Sequence, residues 1–165
     1  MVKSEVLVEG FGMWYGEGVM DDVQLLEVEM GSGEYEELLG LRFEELRAPL
    51  GLEWSKEELK WDEMERHFGL YLGDEVVGVM VVRELDGGVV KLRQIATARR
   101  VQGQGYGRQL MELVEGQLTG EGVCGFELHS RMEVAGFYEK LGYEPEGGVF
   151  EEIGIPHVKM RKELS

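Results

Sequence analysis

The segment RRVQGQGYGRQL, residues 99–110, combines three alternate glycines with arginines on both sides. Glycine lets a ligand approach the backbone without meeting a Cβ atom. A glycine-rich turn that opens a helix also presents free amides and the positive end of the helix dipole, an arrangement that binds phosphate. Residues 90–111 contain no Asp or Glu in a chain whose net charge is −16. The pattern therefore predicts a local anion site.

Two common phosphate-binding patterns do not fit this segment. A P-loop requires Gly-Lys-Ser/Thr after its second glycine, and the sequence has none there. A dinucleotide fingerprint G-x-G-x-x-G can start at Gly103, but its third glycine position is occupied by Arg108. The strands before it are also predicted to be antiparallel, whereas that fingerprint belongs to a parallel βαβ unit. The remaining interpretation is a phosphate site with a different sequence pattern.

Composition limits the class of protein. A length of 165 residues fits one domain, which we predict over residues 22–165 after an irregular acidic extension at 1–21. The net charge argues against nucleic acid as a partner. The sequence has no apolar run of ~20 residues and no signal-peptide pattern. We therefore expect a cytoplasmic protein without a membrane partner.

Cysteine and histidine usage argues against metal and disulfide chemistry. Cys124 is the only cysteine and lies in the apolar run GVCGFEL, so we predict a buried, structural thiol. The three histidines are far apart in the sequence and belong to no metal-binding motif. No metal site is predicted.

Periodicity predicts an α/β (α+β) fold with a mixed sheet. Ser55 and Glu58 form a capping-box pattern that opens the second helix. Apolar spacing places the start of the third helix at Gly105 or Tyr106. The predicted strands cover 22–30, 67–73, 75–85, 87–97, 122–130, 148–154 and 156–162, and the predicted helices cover 33–46, 55–67, 105–120 and 133–142.

The segment QGQGYG, Gln102 to Gly107, resembles the acyl-CoA pyrophosphate signature Arg/Gln-x-x-Gly-x-Gly/Ala of the GNAT superfamily of N-acetyltransferases. The preceding LRQIAT, the helix that follows and the later FYEKLGY resemble the same superfamily in the same order, over roughly residues 23–162. The resemblance implies the GNAT fold, a mixed, mostly antiparallel central sheet of six to seven strands flanked by about four helices.

The resemblance also implies a site for acetyl-CoA. Main-chain groups of Ile95, Ala96 and Thr97 would hydrogen-bond the pantetheine arm. Starting the signature at Arg100 makes Gly103 and Gly105 its glycines, whereas starting at Gln102, which the helix phase favours, makes them Gly105 and Gly107. The groups implied near the phosphates are the amides of Gln102, Gly103, Gln104, Gly105, Tyr106 and Gly107 and the side chains of Arg99, Arg100 and Arg108.

The implied reaction is transfer of an acetyl group to a primary amine by direct attack in a ternary complex. Tyr138 matches the family tyrosine that donates to the thioester sulfur. Glu152, His157 and Glu84 are candidates for the base that removes the amine proton. Arg42 and Arg47 would meet an acceptor carboxylate or pair with Glu45.

Other interpretations stay open at this point. The chain could be a non-catalytic acyl-CoA-binding or sensing module with the same fold, or could bind another nucleotide through its glycine turn. The acceptor could be a small-molecule amine or a protein amine. A homodimer is compatible with the resemblance.

Overall fold

The computed structural model describes residues 3–6 and 23–164. Most of the segment predicted as an irregular extension, 1–21, lies outside the described residues. The strands are β1 (Lys3–Val6), β2 (Val23–Val28), β3 (Arg66–Leu72), β4 (Glu75–Glu84), β5 (Val89–Thr97), β6 (Gly125–Arg131), β7 (Glu144–Glu152) and β8 (Ile155–Glu163). The helices are α1 (Gly33–Leu46), α2 (Lys56–Trp61), α3 (Tyr106–Gly120) and α4 (Ala135–Lys140). Among the described residues, no helix is both long and apolar enough to cross a membrane.

The described chain divides into two compact units, and β4 and β5 contribute a segment to each. The first unit contains the residues up to Val81 together with Gln94–Gly116, and the second contains Val82–Arg93 and the residues from Gln117 onward. The strand order in the first is β1-β2-β3-β4-β5, in which β1, β2 and β3 pair antiparallel. The prediction of one domain over 22–165 stays a prediction.

Helix α1 in the first unit begins at a side-chain cap and packs on β3. The Ser32 hydroxyl accepts a hydrogen bond from the Tyr35 amide at 3.0 Å, which satisfies one of the free amides of the first turn. Tyr35, Leu38 and Leu41 are buried at helical spacing. The helix approaches β3 closely because Gly69, on that strand, has no side chain facing Leu38.

The second unit is a sheet with one apolar and one polar face. Its strand order is β5-β6-β8-β7, with β5 and β6 parallel and the other pairs antiparallel. Buried Phe126 and Leu128 alternate along β6 with partly exposed Glu127 and His129, as a half-buried strand requires. The edge strand β7 is mostly exposed. Polar side chains of β6, β7 and β8 therefore share one face.

The fold matches the sequence-based prediction, and the differences are local. Seven strands from Val23 to Glu163 form the mixed, mostly antiparallel sheet, and β1 adds an eighth. The Ser55 hydroxyl caps α2 as predicted, but this helix ends at Trp61 and a short 3-10 turn follows. Strand β7 begins at Glu144, four residues before the predicted start.

The prediction of a buried Cys124 is wrong. The residue is exposed because β6 begins only at Gly125, so Cys124 lies in the connection that precedes the strand. Its Sγ atom lies 3.4 Å from the Gly87 carbonyl oxygen, and its amide donates to the Gly88 carbonyl at 2.9 Å. The apolar run in the sequence therefore does not correspond to one continuous buried strand.

Adding a methyl group at Gly69 is expected to destabilise the fold. A Cβ atom there would lie 2.6 Å from Cδ2 of Leu38, which is fully buried and has little room to move. We expect Gly69→Ala to lower the free energy of unfolding in urea by about 1–3 kcal/mol. The matched control is Gly40→Ala, since Gly40 lies in α1 with open space around it.

Gly40→Ala should raise the free energy of unfolding by about 0.5–1 kcal/mol, because alanine is the better helix former. Equal effects of the two substitutions would contradict the close packing of α1 on β3.

Candidate active site

Strand β5 changes character at Gln94. This residue has a φ of +51°, a left-handed conformation that is uncommon for a residue other than glycine. Before it Val90 and Leu92 are buried, whereas the residues after it, Ile95–Thr97, are all half-buried. The parallel ladder between β5 and β6 ends at the pair Leu92 and Leu128. The end of β5 is thus partly exposed and unpaired with β6, and its contact with pantetheine stays a prediction.

The glycine turn carries the chain from β5 into α3. Residues Arg99–Val101 form a 3-10 turn whose Val101 side chain is buried. Gly103 and Gly105 then adopt φ values of +80° and +90°, which side chains with a Cβ atom rarely adopt. Helix α3 begins at Tyr106, within the predicted range. The turn therefore ends directly at a helix N-terminus.

The first turn of α3 has the geometry of an anion site. The Gln109 amide donates to the Gly105 carbonyl at 3.1 Å, which closes the first helical turn. The amides of Gly107 and Arg108 come before this bond and have no acceptor within the helix. Because α3 is 15 residues long, its dipole adds to the attraction for negative charge at this end.

Two glutamines of the turn hold it in place through their side chains. The Gln102 Nε2 atom donates to the Thr97 carbonyl at 3.1 Å, and the Gln104 Nε2 atom donates to the Arg100 carbonyl at 3.3 Å. The sequence predicted these residues only as amide donors, and Thr97 only as a partner for pantetheine. The choice between Arg100 and Gln102 as the start of the signature stays a prediction.

The three arginines beside the turn are exposed and already contact carboxylates. Arg100 lies 2.8 Å from its partner carboxylate, and Arg108 lies 2.7 Å from its own. Exposed ion pairs contribute only about 0–1 kcal/mol, so a guanidinium can exchange its carboxylate for a phosphate at little cost. The partners of Arg99, Arg100 and Arg108 are Glu45, Glu75 and Glu112, respectively.

Tyr138 lies in α4 of the second unit, with its ring packed among aromatic side chains. The ring makes edge contacts with Phe137 and Tyr143 at centroid distances of 5.0 and 6.0 Å. Burial raises the pKa of the Tyr138 hydroxyl to about 12. The phenol is therefore protonated at neutral pH and is a hydrogen-bond donor.

The second unit brings Glu152 and His157 together and adds His129, which no sequence motif identified. His129 Nδ1 lies 2.9 Å from Glu152 Oε1, and His157 Nε2 lies 3.6 Å from Glu152 Oε2. Burial alone would raise the pKa of Glu152, but the hydrogen bond from His129 and the charges of His129, His157 and Lys91 hold it below its ordinary value. The carboxylate is thus ionised at neutral pH.

His129 was missed because its role depends on strand pairing. The alternation along β6 shows that Glu127 and His129 share a face, and this signal is present in the sequence. The sequence does not show that β8 lies between β6 and β7, which places Glu152 within reach of that face. The third base candidate, Glu84, is exposed at the end of β4.

A buried network in the first unit surrounds Asp62. Both Nη atoms of Arg42 donate to this carboxylate at 2.6 and 3.2 Å, and the Tyr35 hydroxyl donates to it at 2.6 Å. His67 Nε2 contacts the Asp62 carbonyl at 2.9 Å. Burial alone would raise the pKa of Asp62, but the hydrogen bonds from Arg42 and Tyr35 hold it below its ordinary value.

The arginines of α1 and its C-terminus do not pair with Glu45. Arg42 is committed to Asp62, and Arg47 lies 3.4 Å from Glu58. Both guanidinium groups lie over the Trp54 ring, at 5.0 and 4.6 Å from its centroid. Glu45 instead accepts from the Arg99 backbone amide. The guanidinium of Arg42 is therefore a structural group, because its two Nη atoms are already bonded.

The mixed, mostly antiparallel sheet and the glycine turn at the start of α3 define a protein of the α/β class. The family model described as "Acetyltransferase (GNAT) domain" matches residues 42–164, and the chain belongs to this family. Within the described residues, no group of three or more His, Cys, Asp or Glu side chains is arranged to hold a metal ion.

Known proteins are similar to this chain in sequence or in fold. The uncharacterized protein YyaT of Bacillus subtilis is 34% identical over 103 residues, which are 62% of this chain and 69% of YyaT. Escherichia coli ElaA matches at a TM-score of 0.75 and 23% identity, over 87% of this chain and all of the other. A Bacillus subtilis acetyltransferase in complex with CoA matches at a TM-score of 0.69 and 20% identity, over 87% and 100%. The two structural matches show the fold.

Replacing Asp62 with Asn is expected to lower the free energy of unfolding in urea at pH 7 by about 3–5 kcal/mol, because Arg42 would remain buried without its countercharge. The lowered pKa of Asp62 contributes stability that is present above its unfolded value of about 3.9 and is lost as pH falls through the folded pKa. The difference between the wild type and Asp62→Asn should therefore shrink on acidification.

The control is Glu75→Gln, which removes an exposed partner of Arg100 and should change the unfolding free energy by less than about 1 kcal/mol. A pH-independent difference between Asp62→Asn and the wild type would contradict an ionised Asp62.

Proposed function

We propose that the chain is an N-acetyltransferase that transfers the acetyl group of acetyl-CoA to a primary amine by direct attack in a ternary complex. The observation that carries this proposal is the continuous path from the half-buried end of β5, Ile95–Thr97, through the glycine turn to the open amides of α3. Membership of the GNAT family supports it. So does the fold shared with an acetyltransferase whose structure contains CoA.

The residues of the first unit fit the parts of acetyl-CoA. Main-chain groups of Ile95 and Ala96 would pair with pantetheine as a strand pairs. The Gln94 Oε1 atom is buried and makes no hydrogen bond within the described residues, so it is available to a pantetheine amide. The amides of Gly107 and Arg108 would hold the pyrophosphate. Acetyl-CoA, when bound, supplies the thioester carbonyl that the amine attacks.

The residues of the second unit have the properties that the transfer needs. The acceptor must lose a proton to become a nucleophile, and Glu152 with His157 would accept it. The carbon–nitrogen bond forms as the carbon–sulfur bond breaks, which leaves a thiolate. Tyr138 would donate a hydrogen bond to that sulfur, since its raised pKa keeps the phenol protonated.

A cationic amine is the acceptor class that the charge of the chain favours. The net charge is −16, and a field of this sign raises the rate at which cations encounter the protein. The ionised carboxylate of Glu152 would pair with a protonated amine. Small-molecule and protein amines both meet this description, so an acceptor panel must contain both.

A side chain at Gly107 is expected to obstruct the pyrophosphate. Gly107→Val should weaken acetyl-CoA binding, measured by calorimetry, by about tenfold or more, since one lost charge-assisted hydrogen bond is worth about 1.5–3 kcal/mol. The matched control is Gly116→Val in the same helix, where Gly116 is exposed and has open space around it. Equal losses in both variants would contradict a pyrophosphate site at the start of α3.

Removing the Tyr138 hydroxyl is expected to slow the reaction without loss of binding. Tyr138→Phe should lower kcat for thiol release from acetyl-CoA by about 10² and change the Kd of acetyl-CoA less than about threefold. The matched control, Tyr143→Phe, removes a hydroxyl from the ring that packs against Tyr138 and should retain kcat.

Tight acetyl-CoA binding by the wild type with no thiol release across the amine panel would contradict the proposed reaction. It would instead favour the non-catalytic acyl-CoA-binding module.

A further inference from the structure

Glu152 is held from two sides by imidazole rings of different strands. His129 on β6 contacts Oε1 at 2.9 Å, and His157 on β8 faces Oε2 at 3.6 Å. The first distance is a hydrogen bond, whereas the second is an electrostatic contact longer than a hydrogen bond. The two oxygens are therefore not equivalent, because one is engaged and the other is open to a further partner.

The partners of Glu152 differ in exposure. The carboxylate is 46% exposed, while His129 is 22% exposed and His157 only 5%. Phe150 on β7 contacts both rings, with its ring centroid 4.9 Å from that of His129 and 6.1 Å from that of His157. The carboxylate thus meets solvent while both imidazoles are fixed by packing.

The hydrogen bond of His157 determines which of its nitrogens can take a proton. Its Nδ1 atom lies 2.7 Å from the Ile155 carbonyl oxygen. A carbonyl oxygen only accepts, so Nδ1 carries the hydrogen. The Nε2 atom, which faces Glu152, is then the nitrogen with a free lone pair in the neutral ring.

The backbone beside Glu152 is strained. Ile153 and Gly154 form the two-residue turn between β7 and β8, with φ values of +48° and +73°. Two positive φ values are typical of a type I′ turn, in which a β-branched residue such as isoleucine is unfavourable. The pairing of Glu152 with Ile155 maintains this turn. The position of the Glu152 backbone is therefore tightly specified, and only its side chain remains to be oriented.

We propose that His129 is a positioning residue in the proposed acyl transfer. It orients Glu152 by holding one carboxylate oxygen, and it leaves the other oxygen for the acceptor amine and His157. This inference rests on the proposed function. It assigns His129 a role that requires neither contact with acetyl-CoA nor reaction, and it makes a protonated primary amine the form of the acceptor that Glu152 binds.

The proposed step balances in protons and bonds. The bound ammonium gives one proton to Glu152 Oε2, from which it passes to Nε2 of His157 and then to solvent. The neutral amine forms the carbon–nitrogen bond as the carbon–sulfur bond breaks. The second proton of the attacking nitrogen goes to the thiolate, so the products are the N-acetyl amide, the free thiol and one released proton.

Three substitutions at His129 distinguish a role in orienting Glu152 from a role in packing. His129→Leu removes the donor but retains apolar contact with Phe150. Asparagine places an amide nitrogen near the position of histidine Nδ1, so His129→Asn retains a donor toward Glu152. Glutamine places its amide near Nε2, so His129→Gln is equally polar but donates elsewhere. Glu163→Gln, which removes an exposed partner of Arg161 at the far end of β8, is the control for the sheet.

The charged and titratable groups that face Glu152 are His129 from β6, His157 from β8 and Lys91 from β5. His129 both donates a hydrogen bond to Glu152 and contributes charge, so its removal should raise the pKa of Glu152. We expect the acid limb of the kcat/KM profile to move to higher pH in His129→Leu and His129→Gln, and to move less in His129→Asn.

The experiment combines thiol-release kinetics over pH with an NMR titration of ¹³C-labelled glutamate carboxylates. His129→Leu and His129→Gln should lose about 10- to 100-fold in kcat, a loss expected from misplacing a group by ~1 Å, with KM for acetyl-CoA unchanged. His129→Asn and Glu163→Gln should stay within about threefold of wild type. The Glu152 carboxylate should titrate at the lowest pH in wild type and at the highest in His129→Leu.

Failure of this inference and failure of the proposed function would give different results. If the wild type turns over and His129→Leu has the same kcat and the same Glu152 titration, the inference is wrong and the proposed function stands. Equal losses in His129→Asn and His129→Leu also overturn the inference, since they would show a packing role. If the wild type releases no thiol with any amine, the proposed function is wrong and the inference falls with it.

Discussion

The start of helix α3 is the constraint on which the proposed acetyl-CoA site depends. Two glycines in left-handed conformations, Gly103 and Gly105, turn the chain from β5 into the helix. Burial of Tyr106 and Leu110 fixes the rotation of the helix about its axis, and with it the direction of the first amides. A phosphate site made of backbone groups cannot be moved by changing side-chain rotamers. The surrounding arginines can therefore remain exposed and exchange partners without loss of the site.

The chain uses its many carboxylates in two different ways. Asp62 is buried, and Arg42 and Tyr35 donate three hydrogen bonds to its two oxygens, so it is shielded from solvent and serves the fold. Glu152 is ionised as well, but it remains half-exposed and has one oxygen without a hydrogen bond to either imidazole. The difference in solvent access and in the number of hydrogen bonds already accepted, rather than in charge, separates the structural carboxylate from the one that we propose binds an amine.

Local features of the fold and site followed from the sequence, whereas long-range contacts did not. The start of α3 and the Ser55 cap could be predicted because each depends on residues within one or two turns. The contact between His129 and Glu152 depends on β8 lying between β6 and β7, and no local pattern encodes that order. Cys124 was misassigned for a related reason, since the apolar run around it continues past the point where the strand begins.

The strained turn after Glu152 links the pairing of β7 and β8 to the geometry of the carboxylate. An isoleucine at φ +48° persists only where the surrounding pairing specifies the backbone. The antiparallel pairs Glu152–Ile155 and Phe150–His157 supply that specification. The same pairs place the Ile155 carbonyl on His157 Nδ1 and the Glu152 carboxylate before Nε2. One hairpin therefore determines both the backbone of the carboxylate and the tautomer of its neighbour, while a third strand, through His129, determines the orientation of the carboxylate itself.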